Sequence, residues 1–264
     1  MRRIAPLALL LASALPLRAE PVSDHVTVSI LPGWRTEAGT HMAGFRIRMA
    51  PGWHTYWRAP GDAGIPPSFD WTGSDNIAGA GFHWPVPEVI VQNDMRSIGY
   101  KGDVVIPIEL ALDDPAAPAR MAGLVQMGVC RDICMPVQLS FAADLPVGGD
   151  RPAALVAALV DQPLAADQAG VDAVSCSVAP IADGLSVTAT VDMAPLGPDE
   201  AVVIEAGDPT IWVSEPASQR DGARLTAQAD MVHVTGEPFA LDRSQVRITV
   251  IAAGRAVDIR GCGG

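Results

Sequence analysis

Met121-Ala-Gly-Leu-Val-Gln-Met127, then Gly128-Val-Cys130-Arg-Asp-Ile-Cys134-Met-Pro136, then Val137-Gln-Leu-Ser-Phe141 run on from one another, and their reading decides the fold. The first segment alternates loosely between small or apolar and polar residues, and the last alternates strictly, which is the pattern of half-buried strands. A three-residue connection between them is an ordinary hairpin loop. It sets Cys130 opposite Cys134, at the roughly 4.5–5.5 Å Cα separation that a disulfide can span. The pair sits at an accessible loop tip, a position suited to a disulfide that is made and broken.

The rest of the chain has the same texture. Gly (25) and Pro (23) are abundant, and most periodic runs last five to nine residues, so short strands and turns are expected throughout. Candidate strands in the first half are 26–30, 44–49, 104–112, 124–129 and 137–142. Long Pro/Gly-rich connections lie between them at 60–67 and 84–100, and loops of that length are usually functional. Arg151-Pro-Ala-Ala-Leu-Val-Ala-Ala-Leu-Val160 is the one convincing helix, with Asp150 or Arg151 at its cap and Pro152 in its first turn. Alternation returns at 174–178, 185–193, 201–205, 211–213, 224–231 and 245–250. The expected fold is all-β, two immunoglobulin-like β-sandwiches joined by a short helix-containing linker. The first is expected over 20–147, the linker over 148–170 and the second over 171–264.

Residues 1–19 read as a cleaved export signal: Arg2 and Arg3, an apolar stretch from Ile4 to Leu17, and Ala19 before the cut. That stretch is too short to span a bilayer, no later run approaches eighteen apolar residues, and no cysteine lies near the cut to carry a lipid. No membrane anchor is therefore expected, and the predicted location is the periplasm, where disulfides form. Without the leader, 15 basic residues face 30 acidic ones, a poor surface for nucleic acid.

Four cysteines allow three pairings. Local spacing favours Cys130–Cys134, which leaves Cys176 and Cys262 to join the two ends of the second sandwich. That second bridge closes a loop of almost ninety residues, worth about 4–5 kcal/mol on the chain-entropy model, and is read as structural. The first closes a very small loop and restricts the unfolded chain little. Redox exchange and an idle or structural pair stand about even on these grounds. Arg131 favours a thiolate and Asp132 opposes it. The flanking strands offer no helix N-terminus to acidify a thiol, so the pair reads as one attacked by a more reactive thioredoxin-fold partner. Trp53-His-Thr-Tyr-Trp57-Arg-Ala-Pro-Gly-Asp62-Ala-Gly-Ile-Pro-Pro67 forms a stiff aromatic loop. Trp53 reads as a cover for one end of the sandwich, and Tyr56, Trp57 and Asp62 as candidate walls of the cysteine site.

Together, the Tyr56–Pro67 run, Trp84-Pro85, Gly99-Tyr100-Lys-Gly, Pro107 and Val129-Cys-Arg-Asp-Ile-Cys-Met-Pro136 resemble the periplasmic N-terminal domain of DsbD-type and ScsB-type thiol:disulfide interchange proteins. The resemblance covers roughly residues 25–145. It implies an immunoglobulin-like domain whose Cys130/Cys134 pair passes electrons between thioredoxin-fold partners, with no cofactor. It also implies a cap over the sulfurs in the Val91–Tyr100 segment, bringing Met95 or Ile98, and Tyr100, to the site. Two departures stand out: three residues between the cysteines where the best-known members have five, and Asn93-Asp-Met95 in place of an aromatic cap. The membrane carrier and thioredoxin module of the family are expected on separate chains.

Two rival readings remain. Met95, Met121, Met127 and Met135 gather near the cysteines, and thiolate with thioether suits Cu(I), although core packing explains methionines more often. The other rival is a binding module with a static disulfide. The five histidines lack ligand spacing, and no resident metal is expected.

Overall fold

In the computed structural model the described residues are 25–92 and 95–263. The predicted leader, and Asn93 and Asp94 of the expected cap, lie outside them.

Two sheets face each other in the first half. One has the order β1 (Val26–Arg35), β2 (His41–Met49), β8 (Asp103–Ala111), β5 (Gly79–Phe82). The other runs β10 (Cys134–Leu145), β9 (Ala119–Cys130), β3 (His54–Tyr56), β7 (Met95–Lys101), β6 (Glu88–Gln92), with β4 (Ser68–Asp70) also paired to β9. The opening stretch explains the second sheet. Side chains alternate across a strand, so Met121, Val125, Met127 and Val129 of β9, with Phe141 of β10, point into the core against Phe45, Ile47, Ile106 and Ile108. Phe45 meets the Phe69 and Phe141 rings edge-on, at 5.1 and 5.4 Å between centroids, an arrangement worth more than burial alone. The even-numbered residues of the hairpin, both cysteines included, take the outer face.

The 84–100 connection is not a loop. Residues 88–92 and 95–101 form an antiparallel hairpin, and β7 continues the sheet onto β3. The Pro and Gly residues that suggested a loop flank the outer strand or sit where a neighbour approaches closely: a Cβ at Gly99 would lie 2.1 Å from the Thr55 carbonyl oxygen. The helix, α1, spans Ala153–Val160 with Pro152 itself as N-cap and no side-chain cap, so neither Asp150 nor Arg151 fills that role. Pro152 has φ −58°, already helical in that angle, and leaves no N–H to satisfy. The buried Leu155 anchors the helix on Met42 and Val105. No helix among the described residues is long and apolar enough to cross a membrane.

In the second half, one sheet has the order β11 (Leu164–Ala165), β19 (Arg255–Arg260), β18 (Arg247–Ala252), β14 (Ala201–Glu205). The other has β12 (Ala173–Pro180), β13 (Leu185–Asp192), β17 (Arg224–His233), β15 (Ile211–Val213), with β16 (Ala217–Asp221) on β17. The short β11, inside the segment read as linker, pairs in parallel with β19. Over the described residues the fold is therefore all-β, two sandwiches and one helix.

The sheet containing β14, β18 and β19 is covered on both sides. Val202, Ile204, Val250, Val257 and Ile259 pack into the second sandwich's own core, while Ala201, Val203, Ile251 and Ala256 join the core of the first. The sequence reading took 201–205 and 245–250 as alternating strands. Ala201-Val-Val-Ile204 and Ile248-Thr-Val-Ile-Ala252 are in fact nearly unbroken apolar runs, the pattern of strands buried on both faces.

Candidate functional site: the Cys130–Cys134 hairpin tip

Register builds the site. Cys134 pairs directly with Cys130 between β10 and β9, and His54 pairs with Cys130 between β3 and β9. Directly opposed residues share a face, and so do residues two apart on one strand. Cys130, Cys134, His54 and Tyr56 therefore lie together on the outer face of the sheet, while Thr55 and Val129 turn inward. A disulfide joins Cys130 to Cys134, with 4.1 Å between their Cα atoms. The two sulfurs differ in access: Cys130 is 1% exposed, and Cys134 is open to solvent at the strand's start.

Tyr56 supplies a hydroxyl to the exposed sulfur, its O–H donating to Cys134 Sγ at 2.9 Å. Its ring is fixed by two glycines. A Cβ at Gly128 would lie 2.6 Å from Tyr56 Cε2, and one at Gly64 would lie 2.9 Å from Tyr56 Cδ1; only glycine allows both backbones so near the ring. The Gly128 N–H donates to the Ile65 carbonyl at 3.1 Å, and the Thr55 hydroxyl donates to the Gly128 carbonyl at 2.7 Å. The loop over 57–67 is thereby bolted to β9. Burial raises the Tyr56 pKa, so the hydroxyl stays a donor throughout the neutral range. It would stabilise a thiolate at Cys134, since a hydrogen bond to the charged form favours that form. His54 is buried, and burial first, then the Lys101 charge, lowers its pKa; it is neutral near pH 7.

Gln92, at the end of β6, closes the other side. Its amide nitrogen donates to the Arg131 carbonyl, and its Oε1 lies 3.7 Å from Cys130 Sγ. In the disulfide that sulfur has no proton to give; in the dithiol the same oxygen is placed to accept one.

The other expected site residues scatter. Arg131 and Asp132 pair with each other in solvent at 3.0 Å, each offsetting the other's charge. Trp57 is wholly buried beneath Arg58, whose guanidinium carbon lies 3.8 Å from the ring centroid. Asp62, expected to wall the sulfurs, is exposed and lines a cleft of about 680 Å³ between the two sandwiches. Tyr100, expected under the cap, is in the core with its hydroxyl donating to the Pro85 carbonyl at 2.9 Å. Ile98 is also core. Met95 is 55% exposed, and its pairing with Gln92 puts it on the cysteine face of the sheet. Val91, paired with Arg96 and so facing the other way, is 70% exposed, and Ile133, at the hairpin tip, 71%. Met121 and Met127 are buried in the core and Met135 packs against it, which takes three of the four thioethers away from the solvent-facing sulfurs. Among the described residues no group of His, Cys, Asp and Glu could hold a metal ion.

Gln92 and His54 were not among the expected site residues. The His54-Thr-Tyr56 alternation was the available signal for His54. Gln92 lies within the Val91–Tyr100 segment expected over the sulfurs, but no chemical signature singles it out there.

Cys176 and Cys262 are joined by a second disulfide, Cα–Cα 5.5 Å, with both cysteines buried. It links β12 of one sheet to the residues just past β19 of the other.

Comparisons with known proteins fit this arrangement. The family model for the N-terminal domain of the thiol:disulfide interchange protein DsbD matches residues 27–146. Among solved structures, the N-terminal periplasmic domain of ScsB from Proteus mirabilis is similar, with a TM-score of 0.65 and 20% identity, covering 93% of this chain and 96% of that one. At that identity the likeness is one of fold, and it spans both sandwiches. No curated protein matches the chain.

Proposed function

We propose, from the match of residues 27–146 to the DsbD N-terminal family model, that this protein is a periplasmic thiol–disulfide exchange component that relays electrons through Cys130 and Cys134 between thioredoxin-fold partners. The observation that carries this reading is the asymmetry of the pair: an exposed Cys134 sulfur with a hydroxyl donor on it, joined to a buried Cys130.

That asymmetry gives the order of steps. A partner thiolate attacks Cys134 Sγ, forming a mixed disulfide, while the Cys130–Cys134 bond breaks and Cys130 leaves as a thiolate that takes up a proton. The partner's second thiolate then attacks its own sulfur in the mixed disulfide. Cys134 leaves as a thiolate, stabilised by the Tyr56 hydroxyl. Two electrons have reached this protein, one proton sits on Cys130, Cys134 is a thiolate, and the partner holds the disulfide. The reverse sequence passes them on, with Cys134 as nucleophile. Exchange rates depend on thiolate fraction and on leaving-group stability, and Tyr56 serves both directions. Met95, on the cysteine face of the sheet, and Ile133, at the hairpin tip, are the exposed apolar side chains that a partner's active-site surface would meet. The copper reading loses support from the core positions of Met121 and Met127.

The test is single-turnover reduction by a dithiol thioredoxin, with thiols trapped by a maleimide and the modified cysteines located by mass spectrometry. Cys130 and Cys134 should become labelled within seconds while Cys176 and Cys262 stay protected. A pair that resists an excess of the dithiol protein for hours would favour the static binding module.

A further inference from the structure

The second sandwich touches the exchange site's supports at two points. Arg58, two residues beyond Tyr56, reaches across the cleft and grips Glu205 of β14 with both arms, Nε to Oε1 at 3.0 Å and Nη2 to Oε2 at 2.8 Å. Nη2 also lies 3.4 Å from the buried Thr249 hydroxyl of β18. The pair is largely shielded, with side-chain exposures of 11% and 22%. On its other side the guanidinium covers the Trp57 ring, and the Trp57 backbone N–H donates to the Ile98 carbonyl at 3.0 Å. Further along, Arg96 of β7, next to Met95, pairs with Glu215 of the second sandwich.

From these contacts we propose that the second sandwich is a brace for the exchange site, and that Glu205 is a positioning residue acting through Arg58 on Tyr56. The proposal rests on the exchange reading only for its biological meaning; the geometry it invokes is that of Tyr56 on Cys134. β3 is three residues long, and Tyr56 is its last. The direction the chain takes after it, and so where the Gly64–Ile65 backbone lies against the Tyr56 ring, depends on what holds residues 57–60. Trp57 and Arg58 are held from the far side by Glu205 and Thr249. A bidentate guanidinium–carboxylate pair fixes both distance and plane, which a single charge contact does not. A shielded ion pair is weak evidence of added stability, and fixing one arrangement among several is its better-attested use. Arg96–Glu215 is half exposed and contributes less, but it holds the neighbouring hairpin to the same domain.

The experiment uses the full chain carrying Cys130→Ser, so that Cys134 is the one free thiol while Cys176–Cys262 stays oxidised. The pH midpoint of Cys134 alkylation by iodoacetamide is measured, with thermal unfolding as a control. Tyr56→Phe should move the midpoint up by about one unit, and Glu205→Gln by about half a unit, because the thiolate loses part or all of its donor. The double variant should move no further than Tyr56→Phe alone, since both act on one contact. Arg58→Lys, which keeps the charge and loses the fork, should behave as Glu205→Gln does and serves if that variant is poorly folded. A midpoint unchanged in whichever of the two folds, or a shift that adds fully to that of Tyr56→Phe, overturns the proposal. Because alkylation involves no redox partner, failure of the relay itself would leave this result standing and be recognised separately.

Discussion

Cys130→Ser is expected to convert the protein from an exchanger into a trap. With Cys134 left as a free, solvent-facing thiol, attack on a partner whose single active-site cysteine is held as a thionitrobenzoate disulfide forms a mixed disulfide and releases thionitrobenzoate; no neighbouring thiol remains in either protein to resolve the adduct, and it should accumulate. Cys134→Ser should do the opposite. The remaining thiol at Cys130 is buried between His54, Gln92 and the hairpin tip, and a thiol that a partner cannot reach does not exchange. Turnover falls to background in both variants, but adduct should exceed that of Cys134→Ser by on the order of tenfold in Cys130→Ser, because reactivity follows exposure and thiolate character. Non-reducing electrophoresis with a cysteine-to-alanine thioredoxin variant, its one remaining active-site cysteine first converted to the thionitrobenzoate disulfide, reads this out. Equal adduct from both variants would mean that Cys134 is not the docking sulfur, and the order of steps proposed above would have to be reversed.

The other large effect is on stability. Removing the second disulfide as Cys176→Ala with Cys262→Ala should cost about 4–5 kcal/mol, because the bridge closes a separation of 86 residues. Its surroundings make the native geometry hard to keep without it. The Cys176 N–H donates to the Gly263 carbonyl at 2.8 Å, the Cys262 N–H to the Arg243 carbonyl at 3.1 Å, and Arg243 donates to the Cys176 carbonyl at 3.2 Å. The knot therefore ties the chain's end to the first strand of the opposite sheet. Urea unfolding of the double variant beside the parent measures the loss. A difference below about 1 kcal/mol would mean that the unfolded chain gains little freedom and that the bridge is not the second sandwich's main staple.

Much of this was legible in the residues from Met121 to Phe141. Period two alone places Val125, Met127 and Val129 in the core and sends both cysteines to the opposite face, and a three-residue turn sets them across from each other. Tyr56 was legible as a site residue from its aromatic, proline-stiffened context, although that Gly64 and Gly128 frame its ring depends on a loop and a strand sixty-four residues apart meeting in space. The hairpin of β6 and β7 was obscured by Pro85, Pro87 and Gly99, which read as breakers. Two prolines precede the outermost strand, where no ladder hydrogen bond is lost. Gln92 carries no chemical signature, and only tertiary placement brings its amide to Cys130. Nothing in the sequence marked a role for the second sandwich at the site, because its contacts with the first are made by Val, Ile and Ala on strands whose unbroken apolar runs pass for ordinary alternation. Glu205 is one acidic residue among thirty until Arg58 is seen to reach it.

The central claim, that Cys130 and Cys134 form a working exchange couple, is tested most directly by their reduction potential. The protein is equilibrated with glutathione or dithiothreitol buffers, quenched, and its thiols counted by mass spectrometry. A potential of about −180 to −270 mV, with Cys176–Cys262 still oxidised, is the predicted result, because that is the range in which thioredoxin-fold exchangers operate. A potential below about −300 mV, or four thiols that appear together, would mark the bridge as structural and contradict the account.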